Sequence, residues 1–250
     1  MLERTGRYEH ALSRLKDIWS DYSELPDTTG LDSDSAAEIL LRCGGLIGFY
    51  GQIEQIPNSQ EISKNLLTEA RNHFIDVNNF EKVAESENYI SLAYYRTNER
   101  KEAEIWVKES LARDIDPITQ ARAHAYIIYG SILSGRREYE KVVELLSGVE
   151  HVFQSFGDPY FSGVMNGNIG LAYKNLGRIP EAIKRLESAR RWHDKSGNLI
   201  SACMVKNNLA QIYRLEGRFA EAHRSVSDAI YAYDQIGDKH RKGAAHDTKA

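Results

Sequence analysis

The segment NIGLAYKNLGRIPEAIKRLESA, residues 168–189, lines up without a gap on NLAQIYRLEGRFAEAHRSVSDA, residues 208–229. A period of this length constrains the fold more than any local motif, because a chain that repeats every ~20 to 50 residues builds an array of like units. The small residue in the second half of each unit supplies a ruler. Ala70, Ser110, Val149, Ala189 and Ala229 recur at steps of 40, 39, 40 and 40. The last two units also share Gly170/Ala210, Tyr173/Tyr213, Gly177/Gly217, Glu181/Glu221, Ala182/Ala222 and Leu186/Val226.

Each class of position has a physical role. Ile169, Gly170 and Tyr173 fall on one face of a helix, and Ala182, Leu186 and Ala189 fall on one face of another. Gly177 and Gly217 separate the two helices, and Gly157, Gly197 and Gly237 follow the second, where a left-handed residue ends a helix without a Cβ clash. Small residues at Gly170, Ala182 and Ala189 let the helices approach, while Tyr173 and Leu186 fill the space beside them. One such hairpin cannot bury both of its faces, so it needs neighbours, and the sequence repeats. The expected fold is all-α, an α-solenoid of antiparallel helix hairpins.

The pattern resembles the tetratricopeptide repeat: a helix with large-small-x-x-Tyr, a glycine turn, then a helix with Ala-x-x-x-Leu-x-x-Ala. Val164 to Asp238 carry it most fully. Tyr89 to Tyr94 with Ala103, Val107 and Ser110 fit it, as do Tyr129-Gly130 with Val142, Leu146 and Val149. The resemblance implies a right-handed superhelix occupying 1–250. Its parts are a half repeat and loop at 1–33, a divergent repeat at 34–78, repeats at 79–118, 119–158, 159–198 and 199–238, and the start of another at 239–250. In the divergent repeat Gly44 and Ser63 are 19 apart, where Ala210 and Ala222 are 12 apart, so seven extra residues within Gln52–Gln60 are expected to enlarge its turn. The step of 40 is similar to the longer-helix variety found in kinesin light chain, in bacterial Rap-type regulators, and in sensor regions of bacterial transcription activators and STAND ATPases.

Both ends interrupt the period. Gly6-Arg7-Tyr8 and Ala11 align with Gly217-Arg218-Phe219 and Ala222, and the position 40 beyond Ala210 is Ala250. The expectation is a piece of a longer array. A helix over Gly6–Trp19 would lack its partner, and apolar surface at both uncapped ends would favour self-association.

Composition narrows the function. With 32 basic and 36 acidic residues well mixed and a net charge of -4, no electrostatic footprint for nucleic acid or an anionic membrane is expected. Cys43 and Cys203 lack metal spacing, and no long apolar run or leader pattern occurs, so a cytoplasmic protein is expected. Catalytic and phosphate-loop motifs are absent, and the histidines never pair at ligand spacing. Cys43-Gly44-Gly45-Leu46-Ile47-Gly48 lies inside helical periodicity and reads as close helix packing. Neither an enzymatic activity nor a cofactor is expected.

One constellation remains. The resemblance implies that the first helices line a concave face, where an asparagine before the large-small pair bonds a ligand backbone; Asn168 and Asn208 stand there in adjacent units. An amide suits this task because it both donates and accepts. Helical spacing puts Tyr89, Leu92, Tyr95, Arg96, Ser131, Leu171, Lys174, Gln211 and Arg214 on the same face. Arg96, Lys174 and Arg214 would favour an acidic protein or peptide partner. The two asparagines are expected about 10 Å apart, the usual interaxial distance. The same amides can instead bond neighbouring helices. The function expected is a non-catalytic interaction module; the alternative is the sensing segment of a larger regulator, whose groove shifts an equilibrium elsewhere.

Overall fold

Each predicted glycine turn that the structure describes is a left-handed residue between two helices. The structure is a computed structural model that describes residues 8–22, 24–235, 242–243 and 245–247. Its helices are α1 (Tyr8–Ser13), α2 (Ser33–Ile53), α3 (Ser59–Asp76), α4 (Phe80–Arg96), α5 (Arg100–Ala112), α6 (Gln120–Gly135), α7 (Tyr139–Gly148), α8 (Glu150–Phe156), α9 (Pro159–Asn175), α10 (Ile179–Ser196), α11 (Leu199–Leu215) and α12 (Phe219–Gln235). Among the described residues there is no strand.

Local chemistry sets the boundaries. Gly177 and Gly217 have φ of 73° and 71°, and Gly157 and Gly197 have φ of 73° and 71°. At the first pair the following N–H groups reach back into the helix just ended: Arg178 donates to the Tyr173 carbonyl at 2.9 Å, and Arg218 to the Tyr213 carbonyl at 2.8 Å. Earlier hairpins make the same turn without glycine. Asn98 and Arg137 take φ of 67° and 63°, while Asn78, at the corresponding end of the second helix, takes 56°. Asn tolerates this region through local hydrogen bonding, whereas Arg137 does so at a steric cost. Helix starts carry side-chain caps: Asp32 accepts from the Ser35 N–H, Asp158 from Tyr160 with Pro159 in the first turn, and Asn198 from Ser201. Gly237 lies outside the described residues.

The chain divides into two compact units, residues 7–132 and 133–250. In the first, α2 pairs with α3 and α4 with α5. Leu41, Ile47, Leu67, Ala70 and Ile90 are buried in one cluster between them. A Cβ at Gly44 would lie 2.7 Å from Leu67 Cγ, and one at Gly51 would lie 2.2 Å from Ser59 Cβ, so a glycine seam brings α2 onto α3. The seven extra residues mostly lengthen helices. Past the aligned glycines, α2 runs nine residues from Gly44 to Ile53, whereas α9 runs five from Gly170 to Asn175. The turn at 54–58 is only two residues longer than the one at 176–178. Continued helix satisfies each added backbone group, as an open loop would not.

The expected helix over Gly6–Trp19 is corrected: among the described residues it ends at Ser13. Trp19 then turns inward, its indole N–H donating to the Glu24 carbonyl at 2.9 Å. Trp19 and Leu12 are buried with the α2–α4 core, so these apolar groups do not form the exposed end that the period implies. Most of 239–250 and all of 1–7 lie outside the described residues.

In the second unit α9 pairs with α10 and α11 with α12, and α10 packs on α11. Ala182, Leu186, Ala189, Leu209 and Ile212 form the core where α10 meets α11. A Cβ at Gly170 would stand 2.8 Å from Leu186 Cγ, which explains the small residue there. The second helix of the 119–158 repeat departs from its neighbours. It breaks into α7 and the seven-residue α8 at Val149, with φ of -109° and ψ of 15°. Gly148 precedes the break and weakens helix propensity there.

Candidate peptide-binding face

Taken unit by unit, the first helices carry the residues of interest. On α9 and α11, Asn168 and Asn208 are partly exposed, as are Leu171, Lys174 and Gln211, while Arg214 is exposed. The Lys174 ammonium donates to the Gln211 side-chain carbonyl at 2.9 Å, tying α9 to α11. Burial holds Lys174 below the usual lysine range, and among the described residues no carboxylate pairs with it. This ammonium has therefore lost part of its hydration and gained only a neutral acceptor. Leu171 packs against the α10–α11 core with one side.

On α4 and α6 the same rung appears with other chemistry. Tyr95 aligns with Lys174, and Ser131 with Gln211; the Tyr95 hydroxyl donates to the Ser131 carbonyl at 3.4 Å. The recurrence in separate units shows a shared register of adjacent first helices. The Ser131 hydroxyl donates to the Ile127 carbonyl at 3.0 Å. The Arg96 guanidinium lies 3.9 Å from the centre of the Phe49 ring, a cation–π contact from α4 to α2. Leu92 is partly buried against both neighbouring cores. Tyr89 is only 9% exposed and meets His124 edge-on, with ring centres 5.5 Å apart. The structure thus brings Tyr95 to Ser131 and Lys174 to Gln211, and it places Tyr89 chiefly in the core.

Several residues on these helices escaped the sequence reading. Arg42 of α2 reaches Glu85 of α4 at 2.6 Å, with Lys82 and Glu38 completing a charged cluster. Burial raises Glu85, but Arg42 and Lys82 outweigh it and hold the carboxyl below its ordinary range. Asn88, one place before Tyr89, donates to the Ala121 carbonyl of α6 at 2.8 Å. The side-chain carbonyl of Asn88 is buried without a partner, and so is that of Asn207, the residue at the aligned position on α11. An asparagine on a first helix is therefore used between hairpins in at least one place. Phe49 carried no periodic signal beyond apolarity.

Cys43 and Cys203 are buried and not joined in a disulfide, and no group of metal-ligating side chains gathers among the described residues. Among the described residues no helix is long and apolar enough to cross a membrane.

Comparison with known proteins bears first on the repeats: residues 161–235 match the tetratricopeptide repeat family. No curated protein matches the sequence. Among solved structures, aspartyl phosphate phosphatase F from Bacillus subtilis is 16% identical, with a TM-score of 0.68 over 97% of this chain and 65% of that one. A Rap protein complexed with competence and sporulation factor is 17% identical, with a TM-score of 0.73 over 95% of this chain and 63% of that one. BtubC from P. vanneervenii is 14% identical, with a TM-score of 0.66, covering 96% and 93% of the two chains. The chain thus spans a little under two thirds of the length of the first two. Residues 161–235 are a tetratricopeptide-repeat segment, and the chain around them has the fold of TPR-like repeat proteins.

Proposed function

We propose that this chain is a non-catalytic interaction module that binds an extended, acidic segment of a protein partner along the exposed face of its first helices. The observation that carries the reading is the Lys174–Gln211 rung, a partly desolvated ammonium without a carboxylate between two adjacent first helices. A ligand carboxylate would supply the missing counter-charge, and Arg214 one turn beyond Gln211 would supply a second contact. Asn168 and Asn208, in equivalent places on α9 and α11, would bond the ligand main chain, which makes affinity depend on backbone as well as side chains. Tyr95, Ser131 and the Arg96–Phe49 pair offer a more neutral face in the other unit.

Paired capture tests this, with wild type and the Asn168→Ala/Asn208→Ala protein as baits, followed by titration of the captured partner's binding segment. Each asparagine is expected to contribute hydrogen bonds of about 0.5–1.5 kcal/mol, so each single change weakens binding by up to about tenfold. Lys174→Gln and Arg214→Gln are expected to flatten the salt dependence of binding. Unaltered affinity in the double asparagine variant, at unchanged melting temperature, would contradict the reading.

A second reading is favoured by the likeness to a Rap protein bound to competence and sporulation factor. In this reading the segment bound by the present chain would be a signal, and its binding would shift an equilibrium elsewhere in a larger regulator.

A further inference from the structure

The edge of the 7–132 unit where the first helices begin combines exposed apolar groups with a surplus of carboxylates. His73, in the last turn of α3, meets Asp34 in the first turn of α2 at 2.6 Å, and Lys82 near the start of α4 meets Glu38 of α2 at 2.9 Å. Near its end α5 joins α4 through the Ser110 hydroxyl, which donates to the Ala84 carbonyl at 3.1 Å. The starts of α2 and α4 and the ends of α3 and α5 therefore lie side by side, and the start of α6 follows through Asn88 and Ala121. Along this edge Leu31, Val77, Phe80 and Ile118 are 45%, 47%, 38% and 43% exposed, so that every turn between hairpins presents at least one. Apolar groups gathered on one side of a fold mark an interaction surface.

The charges beside them are one-sided. Asp76, Glu81, Asp114 and Asp116 are exposed, and among the described residues none of them forms an ion pair. The cations that α3 to α6 place near this edge are engaged within the fold. Arg71 and Arg113 bind Glu87, Lys82 binds Glu38 and Glu85, and Arg122 donates to the Arg113 and Ile115 carbonyls. At the opposite edge the turns at 54–58 and 97–99 are flanked by both signs, Glu54 and Glu99 with Arg100 and Lys101. In the other unit Leu199 aligns with Phe80 and is also exposed, but Lys195 precedes it and Asp194 pairs with Arg190. Of these places, the first edge alone sets unpaired carboxylates around its apolar groups.

We propose that this edge docks a basic amphipathic segment of a protein partner, as a second interaction surface besides the first-helix face. The segment's apolar side chains cover Leu31, Val77, Phe80 and Ile118, and its lysines or arginines meet Asp76, Glu81, Asp114 and Asp116. Charge complementarity sets the sign of the partner, because an acidic segment would approach four uncompensated carboxylates.

The probe is a fluorescein-labelled peptide of about 20 residues, lysine-rich with leucines along one helical face, titrated with the full chain and followed by anisotropy. Two companion peptides carry glutamate for every lysine or serine for every leucine. The lysine–leucine peptide is expected to bind with half-saturation on the order of 0.1 mM, and each companion about tenfold more weakly or worse. Val77→Ser/Phe80→Ser/Ile118→Ser and Asp76→Asn/Glu81→Gln/Asp114→Asn/Asp116→Asn are each expected to weaken binding about tenfold, the second with a flatter salt dependence. All these positions are exposed, and an amide at 116 keeps the oxygen that accepts the Ile118 N–H at 2.7 Å. The two variants change different groups, so either one that keeps the wild-type melting temperature is decisive. Leu199→Ser and Asn168→Ala/Asn208→Ala are expected to bind the peptide as wild type does, which separates this surface from the first-helix face. No saturable binding, equal binding of either companion peptide, or unchanged affinity in a folded edge variant would overturn the proposal.

Discussion

Replacing Glu87 by leucine is expected to destabilise the protein by about 3 kcal/mol, although Glu87 lies on no proposed binding face. Its side chain is 0% exposed and is met by Arg71 Nε at 2.8 Å, Arg113 Nη2 at 2.6 Å and Arg113 Nε at 3.1 Å. Arg71 comes from α3, Glu87 from α4, and Arg113 from the first residue past α5, so one carboxylate joins three successive helices. Arg71 also rests on Trp106, its guanidinium carbon 5.3 Å from the ring centre. Without Glu87 both guanidiniums would face an apolar group. A fully buried pair broken on one side costs ~3–5 kcal/mol, and the 18% and 23% exposure of the two arginines places this site at the lower end. Urea titrations should show a lower midpoint with an unchanged slope. Adding Arg71→Met and Arg113→Met to Glu87→Leu should recover most of the loss. A loss below about 1 kcal/mol for the single variant would mean the pair is no better than a surface ion pair.

Acid should weaken the 133–250 unit through His193. The ring is buried against Gly163, where an added Cβ would fall 2.6 Å from ring carbon Cε1, and its Nδ1 has no partner. Burial pushes the imidazole down to about 4, a fall that the neighbouring Asp194 only partly offsets. The folded pKa lies below the ordinary 6.5, so below pH 6.5 the unfolded chain takes up the proton more readily and stability falls. The loss is absent above that pH and complete once pH drops through about 4, amounting to about 3 kcal/mol for this separation. Denaturant titrations from pH 7 to 4.5 on wild type and His193→Leu provide the comparison. The difference in stability between the two should shift toward the variant as pH falls. Parallel curves would show that His193 titrates normally in the fold.

The repeat was legible because its determinants are local and recurrent. Gly170 against Leu186, and Ala182 and Ala189 in one core, are set by packing that a larger side chain would disturb, while glycine at the described turns takes its left-handed φ at no steric cost. The left-handed Asn98 and Arg137 gave no such signal, since neither residue type demands that conformation. The break at Val149 was hidden because Val142, Leu146 and Val149 keep helical spacing through it. His193 gave no sign of its burial, since histidine is common on exposed faces as well. Charges were the least legible feature. Arg71, Glu87, Arg113 and Arg185 carry no periodic mark in the sequence, and only the meeting of helices distant in sequence reveals their ion pairs. For the candidate face, helical spacing put Lys174 and Gln211 on the same face of adjacent hairpins, though not at equivalent positions, and they touch. The burial of Tyr89 depends on Gly45 and His124 in neighbouring helices, which periodicity within one helix does not encode.

The central claim is that the partner lies on the first-helix face. Site-specific photocrosslinking tests it most directly, with p-benzoylphenylalanine at Gln211 on α11 in one protein and at the exposed Tyr231 on α12 in another. The account predicts that the captured partner forms adducts from position 211 and not from 231, and that Asn168→Ala with Asn208→Ala suppresses them. Adducts from 231 with none from 211 would contradict it.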